Sequence, residues 1–138
     1  PMDFRTPTES GKKVDYNFGQ IKNATGYDHN WCLNTYKDGK GDDKTVCASL
    51  YSPKSGILLE VFTNEPGIQV YTGNFQGTGI ACKHGIKYPK HVSVCFESQK
   101  YPDSPTKIAQ GVKGWTDATL KPGEKYYSHL AYKFSVKK

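Results

Sequence analysis

The sequence predicts an all-β protein of short antiparallel strands. Fourteen Gly and eight Pro among 138 residues supply many tight turns, and few stretches show the helical period. Segments between the turns alternate apolar and polar residues, which is typical of half-buried strands. The hydrophobic content is only 36%, but it includes ten Tyr, six Phe and two Trp, whose rings carry large apolar areas. A chain of this length supports a single domain, residues 1–138, with a modest core.

The positive charge does not predict nucleic-acid binding. The net charge is +6, but the lysines are scattered, and the only adjacent basic pairs are Lys12-Lys13 and Lys137-Lys138. A solvated, lysine-rich surface explains this distribution, and a polyanion-binding domain is an alternative that strong salt dependence of binding would reveal. No apolar run approaches the roughly 18 residues of a membrane span, so we expect no membrane partner.

The four cysteines do not predict a metal site. Cys32, Cys47, Cys82 and Cys95 show no zinc-like spacing. Three of them, all but Cys82, lie in strand patterns, where a free cysteine behaves as a small buried apolar residue. We expect a cytoplasmic protein, with export and disulfide formation as the open alternative.

The first half of the chain contains an arm, a helical turn, a strand and a loop. Pro1–Lys13 is predicted to be irregular, and Val14–Asn23 to contain one helical turn. Within Gly26–Tyr36, alternation predicts a strand that starts near Asn30. The polar stretch Lys37–Lys44 is predicted to be a solvated hairpin connection.

The middle of the chain contains a hairpin, a turn and a further strand. Thr45–Tyr51 and Ile57–Thr63 alternate in the manner of two paired strands, with Val46, Ala48, Leu50, Ile57, Leu59 and Val61 facing inward. Asn64–Gly67 is a turn by composition. The next strand turns Ile68, Val70 and Thr72 to one side, and Asn74–His91 is predicted to be a loop with His84 and His91 on the surface.

The last part of the chain is predicted to hold the strand on which the site depends. In Val92–Gln99, apolar Val92, Val94 and Phe96 face one side, and Ser93, Cys95, Glu97 and Gln99 face the other. The turn residues of Tyr101–Pro105 stop this strand. Pro105–Thr119 is predicted to be irregular, and Tyr126–Val136 to be a strand with Leu130, Tyr132, Phe134 and Val136 on one face.

Three polar residues are candidates for a site. Glu97 suits a general base because a strand holds its carboxylate rigidly, although a solvated glutamate fits the same pattern. Asp28 precedes a strand, as binding residues often do, or it caps a turn. Gln69 carries an amide that both donates and accepts hydrogen bonds, which suits a sugar, or it is an ordinary cross-strand polar residue.

Four stretches resemble the aldose 1-epimerase (galactose mutarotase) family. They are, in chain order, DFRTP at Asp3–Pro7, GYDHNWCLN at Gly26–Asn34, TNEPGIQVYTGNF at Thr63–Phe75, and VCFESQKYPDS, which contains Glu97. The resemblance runs over the whole chain and covers roughly the last two-fifths of such an enzyme. It implies an incomplete galactose-mutarotase-like β-sandwich (supersandwich) in which Glu97 is the catalytic base and Asp28 and Gln69 bind the substrate.

The resemblance also implies a reaction and a missing group. Family members interconvert the α and β anomers of hexoses by acid–base catalysis, which requires no cofactor and no metal. Their acid is a histidine from the preceding half, and His29, His84, His91 and His129 are not in its motif. We therefore expect a fragment or processed chain that self-associates or pairs with the missing N-terminal half. The alternative is a non-catalytic carbohydrate-binding β-sandwich module.

Overall fold

The computed structural model describes residues 1–77 and 79–137. The helices are α1 (Ser10–Lys13), α2 (Gly19–Ala24) and α3 (Ser104–Ala109), with a turn of 3-10 helix at Lys83–Gly85. The strands are β1 (Asp28–Cys32), β2 (Tyr36–Lys37), β3 (Lys40–Gly41), β4 (Ala48–Tyr51), β5 (Ile57–Thr63), β6 (Gly67–Tyr71), β7 (Cys95–Gln99) and β8 (Leu130–Val136). No helix in this part of the chain has the length and apolar character that a membrane span requires.

The strands form three sheets, with the orders β1-β6-β7, β2-β3 and β4-β5-β8. Two main-chain hydrogen bonds flank the β1–β6 pair: Thr72 N–H donates to Tyr27 O at 3.0 Å, and Leu33 N–H donates to Pro66 O at 2.9 Å. The residue before β1 is therefore bonded to the residue after β6, and the residue after β1 is bonded to the residue before β6. Such pairing occurs only when two strands run antiparallel. The all-β, antiparallel prediction is confirmed.

The β4-β5-β8 sheet is the most regular part of the fold. Both of its strand pairs are antiparallel, and Leu59 lies opposite Leu50 on one side and Phe134 on the other. On the opposite face Lys133 and Glu60 lie across from each other and form an ion pair of 2.9 Å. The predicted hairpin of β4 and β5 is therefore confirmed, and β8 extends it.

The small β2-β3 hairpin begins at Tyr36, one residue before the stretch Lys37–Lys44 that was predicted to be a polar loop, and otherwise lies inside it. Its turn residues Asp38 and Gly39 have φ values of 50° and 80°. Positive φ at both central residues allows a two-residue turn whose twist matches that of the strands. The predicted connection is thus itself partly ordered by a pair of two-residue strands.

Residue contacts divide the chain into two compact units, residues 1–29 with 69–97 and residues 30–68 with 98–138. Ile21 and Tyr27 are the buried apolar residues of the first unit, and Leu33, Val61 and Ile68 are those of the second. Each core is small, because many apolar residues are exposed. The prediction of a single domain remains a prediction.

Four predicted strand starts differ from the structure, and the first of them is β4, which begins at Ala48 rather than Thr45. The Glu97 strand begins at Cys95, and Val92 and Val94 are 50% and 40% exposed rather than buried. A strand extends only as far as a partner bonds it, and its neighbour β6 has five residues. The strand predicted from Tyr126 starts at Leu130, which pairs with the last residue of β5, and β1 starts two residues earlier than Asn30.

Two helices form where irregular chain was predicted. Helix α3 contains Pro105 in its first turn, where a proline costs no hydrogen bond, so reading this proline only as a strand terminator was wrong. Helix α1 is a single turn in the predicted irregular arm. The predicted helical turn of Val14–Asn23 is confirmed by α2, which ends where Thr25 takes the left-handed conformation.

The predicted burial of several residues was wrong. Val46, Leu50 and Ile57, which were predicted to face inward, are 39%, 40% and 46% exposed. For β8 only a common face was predicted, and the residues on that face are 42–70% exposed: Leu130, Tyr132, Phe134 and Val136. The alternation assigns these residues to a common face correctly, but the described chain covers that face only in part, around the buried Val61. All four cysteines are free, and Cys32 is exposed although its strand pattern predicted burial.

Candidate functional site

Asp28 and Gln69 meet through their side chains. Asp28 is the first residue of β1 and is half-buried. Its Oδ1 accepts a hydrogen bond of 2.8 Å from Gln69 Nε2, although the two residues lie 41 positions apart in the sequence. The main-chain N–H of Asp28 donates to Nδ1 of His29 at 3.0 Å. The structure therefore brings together two of the three residues singled out from the sequence.

The residue before Asp28 is fixed by a dense set of hydrogen bonds. The Tyr27 N–H donates to Thr72 Oγ1 at 3.1 Å, and Tyr27 O accepts from Asn74 Nδ2 at 2.9 Å. The phenol of Tyr27 donates to Pro1 O, and its ring packs edge-on against Phe4 at 5.2 Å between centroids. Burial raises the pKa of this phenol above its ordinary range. The main chain directly before Asp28 is thus held in place by these contacts.

Glu97 lies in the middle of β7, and its side chain is exposed. Within residues 1–77 and 79–137, no hydrogen bond or ion pair of its carboxylate is found, so both oxygens are open to a ligand. An ionised carboxylate only accepts hydrogen bonds, and a base must reach the proton that it removes. The exposure of Glu97 meets that condition.

A second polar pair crosses the same sheet. Gln99 Nε2 of β7 donates to Asn30 Oδ1 of β1 at 3.2 Å, although β6 lies between these strands. The crossing is possible because position 67 on β6 is glycine. A Cβ there would collide with the Asn30 amide, so the missing side chain leaves room for that amide.

Side-chain alternation relates these pairs to the three candidates. Along β7, Glu97 and Gln99 are two residues apart and project to the same side, and so do Asp28 and Asn30 along β1. Because Asn30 bonds Gln99 and Asp28 bonds Gln69, this alternation assigns the three candidates, Asp28, Gln69 and Glu97, to one face of their strands. A carboxylate, an amide and a second carboxylate on one rigid face are able to bind several hydroxyl groups at once.

The strand that carries Glu97 is anchored directly after it. The hydroxyls of Ser98 and Thr63 are hydrogen-bonded, and Thr63 Oγ1 also donates to His129 O at 2.8 Å. Lys100 Nζ lies 2.9 Å from Glu65 Oε2, whose side chain is only 4% exposed. Sequence analysis assigned Glu65 to a turn by composition, and no sequence signal identified its ion pair.

The four histidines lie at separate places. His129 Nδ1 is 3.0 Å from Asp43 Oδ2, and Nδ1 of His91 is 3.0 Å from Thr72 O. His84 and His91 are exposed, which confirms their predicted surface location, and His29 is half-buried beside Asp28. A shallow cavity of about 340 Å³ is lined by residues of the 34–45 segment and includes none of the three candidates.

Comparison with known proteins identifies relatives over nearly the whole chain. The family model described as aldose 1-epimerase matches residues 1–133. Galactose mutarotase from Bos taurus is 39% identical over 135 residues, which cover 98% of this chain and 35% of the relative. Aldose 1-epimerase from Escherichia coli (strain K12) is 35% identical over 115 residues, covering 82% of this chain and 30% of the relative.

A solved structure shows the same fold. The crystal structure of the GalM/aldose epimerase homologue from C. elegans matches with a TM-score of 0.62 and 25% identity, covering 81% of this chain and 30% of the other. The chain spans about a third of the length of the curated relatives it matches.

Proposed function

Because the chain belongs to the aldose 1-epimerase family, we propose that it takes part in interconverting the α and β anomers of hexoses such as galactose and glucose, within a larger chain or assembly. The observation that most supports this proposal is the hydrogen bond between Asp28 and Gln69 on a sheet face that also carries Glu97. A hexose presents hydroxyl groups around its ring, and this face offers fixed acceptors and a donor for them.

The chemistry consists of two proton transfers. Glu97 removes the proton from the anomeric hydroxyl, the electron pair of that O–H bond forms the C1 carbonyl, and the bond from C1 to the ring oxygen breaks. An acid protonates the ring oxygen. C1 then rotates about its bond to C2, and the ring closes on the other carbonyl face with the reverse proton transfers. Asp28 and Gln69 hold the other hydroxyls while the ring is open.

The acid comes from outside these three residues. The curated relatives are about three times as long as the part that this chain matches, so we propose that the rest of a larger chain or a partner polypeptide contributes the acid. Without the acid, the chain keeps its hydroxyl-binding groups and loses much of the rate, since one proton-transfer partner contributes about 10²–10⁴-fold. A sugar-binding module without turnover is the second candidate, and the Asp28–Gln69 pair would serve it equally.

The exposed face of the β4-β5-β8 sheet supports an assembly. Leu50, Ile57, Phe134 and Val136 are 40–70% exposed on a sheet whose outer strands β4 and β8 have free edges in the described chain. Apolar faces and free edges favour association. We propose that a second copy covers this face when the chain is studied by itself. Light scattering at two protein concentrations tests this, and a monomer at both would contradict it.

Polarimetry tests the proposed activity. Freshly dissolved α-D-galactose or α-D-glucose is followed with the wild-type chain, with Glu97→Gln and with Glu9→Gln, an exposed glutamate whose ion pair with Lys12 contributes little. Because the acid is not among the three candidate residues, we expect the wild-type chain alone to give only a small acceleration over the spontaneous rate, which disappears in Glu97→Gln and is unchanged in Glu9→Gln. Sugar binding by a folded chain without acceleration would instead favour the binding module.

A further inference from the structure

We propose that the stacked rings of Tyr71 and Phe75 form an aromatic platform that binds the C–H face of the sugar whose hydroxyls are held by Asp28 and Gln69. The rings are nearly parallel, with centroids 6.5 Å apart and an interplanar angle of 20°. The inference rests on the proposed function for the nature of the ligand, and it adds a contact that hydrogen bonding does not supply.

Strand geometry places the platform beside the polar pair. Tyr71 is the last residue of β6 and follows Gln69 by two positions, so both side chains project from the same face, about 7 Å apart along the strand. The chain then turns at Gly73, whose φ is 64°, and the Phe75 N–H donates to the Tyr71 hydroxyl at 3.0 Å. The turn therefore directs Phe75 back toward the end of β6.

The turn is held rigidly to the strand that carries Asp28. Asn74, which is 2% exposed, donates to Tyr27 O at 2.9 Å and accepts from Thr72 Oγ1 at 2.7 Å. Gly26 allows this close approach, since a Cβ at position 26 would collide with the Asn74 amide. The residue directly before Phe75 is thus tied to the residue directly before Asp28.

Phe75 nevertheless remains 66% exposed. Tyr71 lies beside this ring at 6.5 Å between centroids, and most of the Phe75 ring remains open to solvent. A large apolar ring fixed in this position is suited to a ligand that covers it, because aromatic rings contribute most when a partner removes them from water.

A pyranose fits both parts of this surface. Its hydroxyl groups lie around the ring edge, where fixed acceptors and donors bind them, and its C–H bonds make the ring faces apolar. Asp28 and Gln69 match the edge, and the open face of Phe75 matches a C–H face. A linear polyol has the hydroxyls without the flat face, so the platform selects the closed ring.

The test measures binding of methyl α-D-galactopyranoside, which cannot open its ring and so reports affinity without turnover. In Phe75→Leu the residue stays apolar but loses the ring. We expect the Kd from calorimetry to rise about 3- to 10-fold and the upfield NMR shifts of the sugar C–H protons to disappear. Phe75→Trp should retain both. Tyr126→Leu is the matched control, since Tyr126 is an aromatic residue that is 72% exposed outside the site, and it should change neither.

The outcomes separate this inference from the proposed function. If the wild-type chain binds the methyl galactoside with upfield C–H shifts but does not accelerate mutarotation, the proposed activity is wrong and the proposed contact between the sugar and Phe75 is supported. If Phe75→Leu keeps the Kd and the shifts of the wild type, the platform is wrong even for an active chain. Absence of any binding of the methyl galactoside to the wild-type chain would also overturn it.

Discussion

Gln99 and Asn30 are joined by a hydrogen bond of 3.2 Å between β7 and β1, and the Asn30 amide lies against Gly67 of the strand between them. This bond ties together the two outer strands of the sheet that carries the candidate site. Gly67 is buried and its φ is not positive, so its role is to provide space rather than an unusual backbone conformation.

Substituting Gly67 with alanine should break this bond. The added Cβ displaces the Asn30 amide and leaves Gln99 without that acceptor, which should lower the free energy of unfolding by about 1–3 kcal/mol. Urea unfolding of both proteins measures the difference. Gly19→Ala is the control: nothing lies within 4 Å of its Cβ, and alanine should be neutral or stabilising at the start of α2. Equal losses in both variants would contradict this role of Gly67.

Lys100→Met should destabilise the chain strongly. The variant leaves the Glu65 carboxylate, 4% exposed, without its ion pair of 2.9 Å and without a hydrogen bond to that oxygen among the described residues. We expect the free energy of unfolding to fall by about 2–4 kcal/mol at neutral pH. Lys133→Met is the comparison, because its partner Glu60 is 21% exposed, and its loss should cost less than about 1 kcal/mol. A loss at Lys100 no larger than at Lys133 would refute the difference.

The stability of the chain should decrease at high pH through Tyr101. Burial is the largest cause that raises the pKa of Tyr101 from 10.0 to about 12, and contact with Cys32 adds to it. The folded state therefore favours the neutral phenol: its stabilisation is complete below pH 10 and is lost as the pH rises toward 12. Tyr101→Phe should remove this component. Urea midpoints of both proteins from pH 9 to pH 12 provide the test, and parallel curves would count against it.

The cysteines should react with alkylating reagents at different rates. Burial raises the pKa of the Cys47 thiol, and its Sγ donates to Val61 O at 3.2 Å, whereas Cys32 and Cys82 are exposed. Only the thiolate is nucleophilic, so Cys47 should label more slowly than the exposed pair. Mass spectrometry after brief treatment with iodoacetamide measures each site, and unfolding in urea should abolish the difference. Faster labelling of Cys47 in the folded chain would disprove the expectation.

Local patterns predicted element types well and element ends less well. The β4–β5 hairpin and the strand of Glu97 follow from alternation, which depends only on neighbours in the chain. The start of β7 at Cys95 and of β8 at Leu130 depends on where the pairing partner ends, which no local pattern contains. The segment after Pro105 was wrongly predicted to be irregular. A proline both ends a strand and fits the first turn of a helix, and the sequence pattern did not distinguish these two positions.

The site was predicted as separate residues, and its connections were not. Asp28, Gln69 and Glu97 were identified from their motifs, whereas the bond between the first two was not foreseen. The contribution of Glu65 was also missed, because its turn is evident from composition but its lysine partner lies 35 positions away in the sequence.

The sequence by itself determined the β class, the turns, the family resemblance and which side chains share a strand face, because each depends on residues close together in the chain or on long motifs. Tertiary structure decided which faces are covered and which polar groups meet. Burial and hydrogen bonding depend on distant partners: the face of Phe134 stays exposed despite perfect alternation, and Asn30 reaches Gln99, 69 positions away, only because Gly67 leaves room between them.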